Sequence, residues 1–426
     1  MHRGLLSLLL LTLLSACATN PLTGESNLIL VSESWDQQIG ASQYAPMRQA
    51  QGGDYVVDQD MVNYVRRVGE RVAAQSPRGL PYEFNVLNSS VPNAWALPSG
   101  KIAINRGLLT ALESEAELAA VLGHEVVHAD ARHGAQAQSR GMLAQIGVAA
   151  AAIGVGIGTD DPRLGQVALV GASLGAQLVN QKYGRDAERE SDFYGTRYMK
   201  QAGYNPVGAV HLQEKFVELS KGRKSGWLDG LFASHPPSQE RVVNNRQLAA
   251  ELGESGDLGR DRYQREMAYL KRVQPAYEAY DKGQQALQEE RYDDARRLAG
   301  EAQRIEPREA LFYSLEGDIY QAREQYSQAE NAYSEAIRRN PDWFYFHLRR
   351  GQVREELNRL GPARADLQRS NALLQTGIGF YLLGVVERRS GNRQAAIEHF
   401  QAAAGAGGEV AQRAQEQLRA MGVAPQ

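Results

Sequence analysis

The hydrophobic positions in the first quarter of the chain follow two different periods. From residue 55 to 72 apolar side chains recur every three or four positions, which predicts an amphipathic helix. Residues 84–87 predict a short strand, and residues 93–104 predict a strand, a Pro-Ser-Gly turn and a second strand. Because proline cannot donate to a central ladder, these strands are expected at sheet edges. The edge strand contains Asn93, Ala94, Trp95 and Ala96.

A longer helical pattern follows and is bounded at both ends. Ser114 and Glu117 have the spacing of a capping box, in which two side chains satisfy backbone N–H groups at the start of a helix. Gly134 is expected to end this helix. Its buried face is predicted to contain Leu118, Leu122 and Val126.

This helix carries Gly123-His124-Glu125-Val126-Val127-His128, the HExxH pattern of zinc peptidases. Residues four apart lie on one helical face, so His124 and His128 can bind the same tetrahedral zinc ion. Glu125 then lies beside the metal, where it can deprotonate a water molecule. HExxH also occurs on solvated helices, but here it lies within a helix with defined ends. The pattern predicts one Zn²⁺ per chain and leaves a further protein ligand to be identified.

The second half of the chain repeats itself. Gly283, Gly317, Gly351 and Gly384 are separated by 34, 34 and 33 residues, and an alanine follows twelve residues after each. This resembles four tetratricopeptide repeats over residues 276–410, each a pair of helices, and predicts an all-α solenoid with a concave binding face. The alternative is a structural array without a partner. His347 has no ligand spacing and is expected at the surface.

Composition narrows the class of function. The 426 residues accommodate two ordinary domains, and 43% hydrophobic with 23% charged residues is typical of globular proteins. A net charge of -3 argues against a nucleic-acid partner, which requires a basic face. Cys17 is the single cysteine, so the sequence predicts no internal disulfide.

The first 16 residues have the features of a signal peptide. Arg3 precedes an apolar run from Leu5 to Leu14, which is too short to span a bilayer core of ~30 Å as a helix. Leu14-Ser15-Ala16-Cys17 resembles a bacterial lipobox, which implies cleavage before Cys17 and lipidation of that residue. Ala18 stands where enteric inner-membrane lipoproteins have aspartate, so we expect an outer-membrane anchor facing the periplasm. An ordinary signal peptide is the alternative.

Residues 141–179 contain two further apolar stretches rich in small side chains, separated by Asp160-Asp161-Pro162. Each is short for a membrane span. We interpret them as two helices that pack on the domain core, and a membrane hairpin is the alternative.

The order of these motifs resembles the HtpX/BepA group of zinc metallopeptidases, in a family that also contains the CAAX prenyl proteases. The resemblance rests on the stretch from Asn93 to Gly100, on Ser114–Ala119 and on the HEVVH sequence, and it covers roughly residues 20–245. It implies an α-rich α+β, zincin-like domain with a small edge-stranded sheet. An edge strand beside the zinc helix can bind a substrate chain by strand addition.

The same resemblance implies the third zinc ligand. Glu188-Arg189-Glu190-Ser191-Asp192 resembles the family's ExEAD pattern, with Ser191 in place of alanine, and points to Glu188. Asp192 lies four residues later on the same helical face, where it can accept the outer N–H of a ligand histidine. Glu190 is expected to face solvent. His133 is one residue off the metzincin spacing and is interpreted as a surface or capping residue.

A late histidine-proline segment, Ser234-His235-Pro236-Pro237, also matches the family. His235 has two alternative catalytic uses. It can donate a hydrogen bond to the oxyanion, or it can act as a fourth zinc ligand that keeps the resting enzyme closed. The prolines favour an extended, movable loop, and Ser225-Gly226 is a candidate hinge, so we favour the gate. A purely structural histidine is the third reading.

We therefore expect a lipid-anchored zinc endopeptidase that faces the periplasm and cleaves misfolded or misassembled envelope proteins. The repeats are expected to recruit polypeptide substrates or the outer-membrane assembly machinery. The alternative is a chaperone or scaffold whose proteolysis is weak or latent. The predicted segments are a signal peptide (1–16), a tether (17–45), a peptidase domain (46–250), a connecting segment (251–275), the repeats (276–410) and a C-terminal helix or tail (411–426).

Overall fold

A computed structural model describes residues 17–142, 183–221 and 235–423. The predicted signal peptide, most of the apolar region 141–179 and the candidate hinge Ser225-Gly226 lie outside these ranges. Within the described ranges, every helix is too short or too polar to cross a membrane. The described chain is mostly helical, with a small mixed sheet in its first half.

The chain divides into two compact units, and the division differs from the predicted boundaries. The first unit contains the chain up to Arg48 together with Asp58–Ala268, and the second contains Gln49–Val57 together with Tyr269–Gln426. The elements up to residue 266 are β1 (Cys17–Thr19), β2 (Ser26–Leu28), α1 (Glu33–Ala50), α2 (Gln59–Ala73), β3 (Glu83–Leu87), β4 (Ala94–Leu97), β5 (Lys101–Asn105), α3 (Arg106–Ala111), α4 (Glu115–Asp130), α5 (Arg185–Gln201), α6 (Val207–Lys221), α7 (Gln239–Leu252) and α8 (Arg260–Glu266). Residues 133–142 are also helical.

The region expected to be a tether has secondary structure. β1 and β2 form an antiparallel hairpin. Helix α1 packs on the sheet through Ile39, Tyr44 and Met47, which are buried together with Trp95. Because these apolar side chains recur along one helical face, they stabilise α1 by burial. The tether prediction is therefore wrong for the described part of residues 17–45.

The sheet has three strands in the order β3-β5-β4. β3 pairs in parallel with β5, whereas β4 pairs antiparallel with β5 and places Ala94 opposite Ile104. β4 therefore lies at an edge of this sheet, as the proline pattern predicted. The same prediction is wrong for β5, which is the central strand because it pairs with both β3 and β4. The Pro-Ser-Gly turn joins β4 to β5 through two left-handed residues, Ser99 and Gly100, with φ of 64° and 80°.

Helix α4 begins with the predicted capping box. Ser114 Oγ accepts a hydrogen bond from the Glu117 N–H at 3.2 Å. The Glu117 carboxylate in turn accepts the Glu113 N–H at 2.8 Å. These bonds satisfy backbone donors that have no partner within the helix. Every residue of α4 is buried, which is why its sequence lacks a clear polar face.

The end of α4 differs from the prediction. The helix stops at Asp130, before the expected Gly134. Arg132 then adopts a left-handed conformation with φ of 57°. Its guanidinium donates to the Val31 carbonyl oxygen at 2.9 Å and pairs with the buried carboxylate of Asp36 at 2.5 Å. These tertiary contacts compensate for a conformation that an arginine does not favour alone.

Helices α4 and α5 cross where each has a glycine. A Cβ added at Gly195 would lie 2.8 Å from the His124 backbone nitrogen, and one at Gly123 would lie 2.9 Å from the Gly195 carbonyl oxygen. Neither position has room for a side chain, so the two backbones are in contact. The crossing brings Glu188 and Asp192 of α5 next to the HExxH motif.

The second unit is a series of helix pairs of the tetratricopeptide type, which confirms the predicted all-α repeats. The pairs are α9 (Ala268–Gln288) with α10 (Tyr292–Ile305), α11 (Ala310–Ala322) with α12 (Tyr326–Arg339), α13 (Phe344–Glu356) with α14 (Leu360–Leu373), and α15 (Gly377–Arg389) with α16 (Arg393–Ala404), and α17 (Gly408–Ala420) follows them. The recurring glycines lie where paired helices touch. A Cβ at Gly317 would lie 2.6 Å from the Tyr333 ring.

Two features of this unit differ from the sequence expectations. His347 is buried, with its Nε2 atom 2.9 Å from the Pro341 carbonyl oxygen, so its assignment to the surface is wrong. Residues 49–57 belong to this unit because they contact Trp343. The Trp343 indole donates to the Gln49 carbonyl oxygen at 2.9 Å. A Cβ at Gly53 would lie 2.8 Å from the same ring.

Candidate active site

Four buried side chains converge beside the crossing of α4 and α5. His124, His128, Glu188 and His235 each offer one ligand atom, and these atoms lie within 4.8 Å of one another. The two HExxH imidazoles face each other, with His124 Nε2 3.0 Å from His128 Nε2. Glu188 carboxylate oxygens lie 3.5 Å from His128 Nε2 and 3.6 Å from His124 Nε2. The fold thus brings the three predicted ligands together with His235.

The donor set and its spacing fit a zinc ion. Ligand atoms about 2.0–2.1 Å from a tetrahedral zinc ion are separated from one another by roughly 3.3 Å. Among His124, His128 and Glu188 these separations are 3.0, 3.5 and 3.6 Å. Imidazole nitrogens and carboxylate oxygens are both common zinc ligands. The ring nitrogens of His124 and His128 face each other at 3.0 Å, and a cation bound here would interact with both of them.

The nitrogen of His124 that faces away from the cluster contacts Asp192, with Nδ1 3.0 Å from Oδ1. Arg241 donates to both carboxylate oxygens of Asp192 at 2.7 Å. Burial raises the pKa of Asp192, but Arg241 and His124 together outweigh burial and hold that pKa below its ordinary value. Arg241 had no role in the sequence analysis, because only the fold brings it beside a carboxylate 49 residues earlier.

Glu125 lies at the side of the cluster. Its Oε1 atom is 3.6 Å from His235 Nε2. Its Oε2 atom is buried and has no hydrogen-bond partner among the described residues. Burial raises the pKa of Glu125, and the neighbouring His235 and His124 only partly oppose it. An unpaired carboxylate oxygen beside metal ligands is in position to accept a proton from a water molecule at the cluster.

His235 reaches the cluster from the segment that precedes α7. Its Nδ1 atom lies 2.9 Å from Glu188 Oε1 and 3.2 Å from His124 Nε2. Burial lowers the pKa of His235, but the carboxylates of Glu188 and Glu125 raise it above its ordinary value. The ring therefore faces the ligands with one nitrogen and Glu125 with the other.

Residues 60–249, which contain this cluster, match the model of peptidase family M48. This part of the chain is an M48 peptidase domain. The match confirms the resemblance to the HtpX/BepA group that the motif order indicated, and it implies a metal cofactor. The cluster of His124, His128, Glu188 and His235 lies within the matched residues.

Three relatives show how far the similarity extends. The beta-barrel assembly-enhancing protease of Escherichia coli (strain K12) is 24% identical over 346 residues, which cover 73% of this chain and 70% of that protein. The mitochondrial metalloendopeptidase OMA1 of Schizosaccharomyces pombe is 34% identical over 183 residues, or 42% of this chain and 50% of the yeast protein. Metalloprotease YcaL of Escherichia coli is 32% identical over 174 residues, or 40% of this chain and 64% of YcaL. The chain therefore spans about half the length of the yeast relative.

On the side of its ring that faces away from the cluster, His128 contacts two residues that were not predicted to lie at the site. Tyr183 stacks on its ring, with centroids 4.0 Å apart and an interplanar angle of 25°. His133 Nδ1 lies 2.9 Å from His128 Nδ1, and His133 is only 2% exposed. The surface assignment of His133 is wrong, because the left-handed turn at Arg132 returns the chain toward α4. Helical spacing alone contains no signal for such a turn.

The prediction that Glu190 faces solvent is also wrong. Its Oε2 atom lies 3.5 Å from His133 Nε2, and its Oε1 atom accepts a hydrogen bond from Asn20 Nδ2 at 2.7 Å. Burial raises the pKa of Glu190, but the hydrogen bonds from His133 and Asn20 hold it below its ordinary value. Glu190 is therefore connected to the cluster through His133, which contacts both Glu190 and His128.

A cavity beside the cluster connects it with the edge strand. Its apolar lining includes Ala94 of β4, Val121 of α4, and Leu212 and Phe216 of α6. Of the other predicted strand residues, Trp95 and Ala96 are buried in the core. Asn93 Oδ1, and Gln213 Oε1 in the cavity lining, are buried oxygens without a hydrogen-bond partner in the described part of the chain. Polar groups of this kind are accounted for when a ligand supplies the missing partner.

Proposed function

We propose that the protein is a zinc-dependent endopeptidase in which His124, His128 and Glu188 hold one zinc ion per chain. The observation that carries this proposal is the cluster of buried ligand atoms within 4.8 Å, inside an M48 domain. When bound, zinc polarises the scissile carbonyl and lowers the pKa of a water molecule. The fold supplies this ion with ligands from two helices that touch at a glycine crossing.

Glu125 is the proposed general base. Its unpaired Oε2 atom accepts a proton from the attacking water and later delivers it to the leaving amine. Asp192 holds the His124 ring through Nδ1, and Arg241 holds Asp192 from the opposite side. This arrangement keeps the ligand ring oriented while Glu125 transfers the proton.

For His235 we propose a gating role. The gate is supported by the position of His235 Nδ1, which lies 3.2 Å from His124 Nε2 and 2.9 Å from Glu188 Oε1, among the ligand atoms. As a fourth ligand, His235 would occupy the position that a catalytic site keeps open for water or substrate. The oxyanion role would instead require His235 to remain outside the ligand set and donate to the substrate.

The proposed substrate site is β4 and the cavity beside it. An extended peptide can add to the outer edge of β4, within the stretch Asn93, Ala94, Trp95 and Ala96, where the backbone groups of alternate residues face away from β5. Asn93 Oδ1 is then available to a peptide N–H, because it has no partner within the described residues. The apolar cavity next to Ala94 suits an uncharged substrate side chain.

We further propose that the protein acts at the periplasmic face of the outer membrane, anchored through a lipid on Cys17, on misfolded or misassembled envelope proteins. The signal-peptide pattern before Cys17 supports this location. Similarity to the beta-barrel assembly-enhancing protease covers 73% of the chain, more than the M48 residues alone, and supports a link to outer-membrane assembly. The repeats would recruit substrates or partners of the assembly machinery.

The test is zinc content together with casein degradation. Purified protein with about one zinc ion per chain and proteolysis that a chelator removes would support the endopeptidase. Protein that carries no zinc and cleaves no casein when zinc is supplied would reject it and favour the scaffold. The same preparation separates the two classes of function, because a scaffold keeps its binding partners without metal.

A further inference from the structure

A further set of hydrogen-bonding residues lies on the side of the His128 ring that faces away from the cluster. We propose that His133, Glu190 and Asn20 form a hydrogen-bond chain that orients His128, so that metal retention depends on the N-terminal hairpin. This proposal rests on the zinc site proposed above and assigns three positioning residues to it. All three are buried or half-buried, and none of them is a predicted metal ligand, although Glu190 lies within the ExEAD pattern.

The first step of the chain follows from the two faces of the His128 ring. His128 Nε2 faces the cluster, 3.0 Å from His124 Nε2 and 3.5 Å from Glu188 Oε1. A ring nitrogen that binds a metal carries no proton, so the proton of neutral His128 is on Nδ1. Nδ1 lies 2.9 Å from His133 Nδ1 and therefore donates to it.

The second step follows from the tautomer of His133. Because its Nδ1 atom accepts a hydrogen bond, neutral His133 carries its proton on Nε2. That nitrogen lies 3.5 Å from Glu190 Oε2 and faces the carboxylate. The ring is otherwise enclosed, with a residue exposure of 2%, and Ser191 Oγ lies 3.5 Å from its Nδ1 atom. The proton of His133 is thus directed toward a negative charge, which strengthens His133 Nδ1 as an acceptor for His128.

The third step fixes Glu190 from the hairpin formed by β1 and β2. Asn20 Nδ2 donates to Glu190 Oε1 at 2.7 Å across 170 residues of sequence. The Asn20 side chain has one orientation, because its Oδ1 atom accepts the Leu22 N–H at 2.9 Å. Its backbone is held by Glu25 and Gly24 through bonds of 2.7 and 2.9 Å. Each donor from His128 to Asn20 consequently has an acceptor.

The two HExxH histidines are therefore supported differently. His124 contacts a carboxylate directly, since its Nδ1 atom lies 3.0 Å from Asp192. His128 reaches its carboxylate through the neutral ring of His133, and that carboxylate depends on Asn20. Removal of a group that holds a ligand's outer nitrogen lowers metal affinity by about 10–100-fold. The hairpin that begins at Cys17 is thereby coupled to the metal site.

The experiment measures the zinc dissociation constant of the full chain by competition with a chromophoric chelator. Glu190→Gln keeps the size of the side chain, but its amide has only one acceptor oxygen for the two donors, His133 and Asn20. We expect it to weaken zinc binding about tenfold. Asp186→Asn is the matched control, because it removes the same charge from the same helix at an exposed position whose one ion pair among the described residues is with Arg189. It should leave the constant unchanged.

Substitutions at the other two positions keep the proposal testable if one variant folds poorly. His133→Leu should weaken zinc binding at least as much as Glu190→Gln. His133→Asn should recover part of the loss, because its amide oxygen replaces Nδ1 as an acceptor for His128. Asn20→Ala should weaken binding without touching either imidazole. The melting temperature of the metal-free protein checks that each variant folds.

The outcomes distinguish a failure of the proposed hydrogen-bond chain from a failure of the proposed zinc site. Wild-type protein that does not bind zinc would overturn both proposals. Wild-type protein that binds zinc, with folded Glu190→Gln and Asn20→Ala variants at the affinity of Asp186→Asn, would overturn the hydrogen-bond chain alone. Equal affinity of folded His133→Leu and His133→Asn would show that His133 acts by filling space, and would also reject it.

Discussion

At the scale of single residues, the proposed site consists of candidate ligands that face inward and groups that hold them from outside. His124, His128 and Glu188 supply the inward atoms. Asp192 and His133 each contact one ligand ring from its other side, at 3.0 and 2.9 Å. In this arrangement the side chains beside a ligand decide its orientation, and the ligand positions alone do not describe the site.

The gate proposed for His235 and the alternative oxyanion role predict opposite effects of removing this histidine. If it closes the site as a fourth ligand, His235→Ala should cleave casein faster than wild type. A closed fraction of about nine in ten would give roughly a tenfold increase. His399→Ala is the control, because it is the same substitution in the repeat unit, where His399 stacks near Phe380. A loss of about 10²–10³ in rate with zinc retained would reject the gate and favour the oxyanion role.

The residues that were predictable from sequence share one helix or one motif. His124, Glu125 and His128 have fixed spacing on α4, so their convergence follows from helix geometry. Arg241 and Asn20 act on residues 49 and 170 positions away in sequence, and spacing contains no information about such pairs. His133 was misassigned because its position depends on the left-handed turn at Arg132.

At the scale of elements, buried ionic contacts hold the start of α4 in place. Glu115, in the first turn, accepts hydrogen bonds from Tyr64 at 2.7 Å and Tyr204 at 2.9 Å, and it pairs with Arg262. These partners come from α2, from the segment before α6 and from α8. A single carboxylate thus joins three other parts of the first unit to the helix that carries the HExxH motif. The capping box there was predictable from the sequence, whereas the contacts of Glu115 were not.

This contact predicts a pH-dependent stability. Burial raises the pKa of Glu115, but the hydrogen bonds from Arg262, Tyr64 and Tyr204 hold it below its ordinary value of 4.5. A carboxylate with a lowered folded-state pKa stabilises the fold above its unfolded pKa, and that contribution is lost as pH falls through the folded value. Glu115→Gln should therefore lower the free energy of unfolding by about 1–3 kcal/mol at pH 7. The difference from wild type should shrink below pH 4.5.

Urea unfolding of the metal-free protein between pH 3 and pH 7 measures this difference. Glu113→Gln is the control, since Glu113 is largely exposed and its ion pair with Lys215 should contribute about 0–1 kcal/mol. A Glu115→Gln penalty that stays constant down to pH 3 would show that packing, and not the charge, is responsible.

Some elements were predictable and others were not, for physical reasons. Helix α2 and strands β3 to β5 have clear periodicity and matched their predictions within a few residues. Helix α1 was missed because its apolar residues alternate with polar ones in a segment interpreted as a tether. Only its packing of Ile39, Tyr44 and Met47 on the sheet reveals a buried face.

At the scale of the whole molecule, the repeat unit contains a groove between successive helix pairs. It is lined by residues from α9, α11 and α13, including Gln284, Gln288, Gln321, Ala322 and Tyr345. The repeating glycines made these pairs predictable, because close helix contacts recur at the sequence period. The inclusion of residues 49–57 was not predictable, since it depends on their contact with one side chain, Trp343.

If the groove recruits partners, a bulky charge in it should separate recruitment from cleavage. Gln288→Arg places such a charge in the lining, whereas Gln285→Arg makes the same change on the same helix at an exposed position outside the lining. Gln288→Arg should lose envelope proteins that copurify with the wild type and should cleave casein at the wild-type rate. Retention of the same partners by both variants would show that the groove does not recruit them.

The most direct test of the central claim is the activity of Glu125→Gln beside the wild type, with zinc measured in both. The substitution keeps the shape of the side chain but replaces the unpaired Oε2 atom that is proposed to accept the water proton. Casein cleavage should fall by about 10²–10⁴ while zinc remains at one ion per chain. Glu117→Gln, in the capping box of the same helix, controls for loss of a buried carboxylate and should still cleave casein. Casein cleavage at the wild-type rate by a contaminant-free Glu125→Gln preparation would contradict the proposed mechanism.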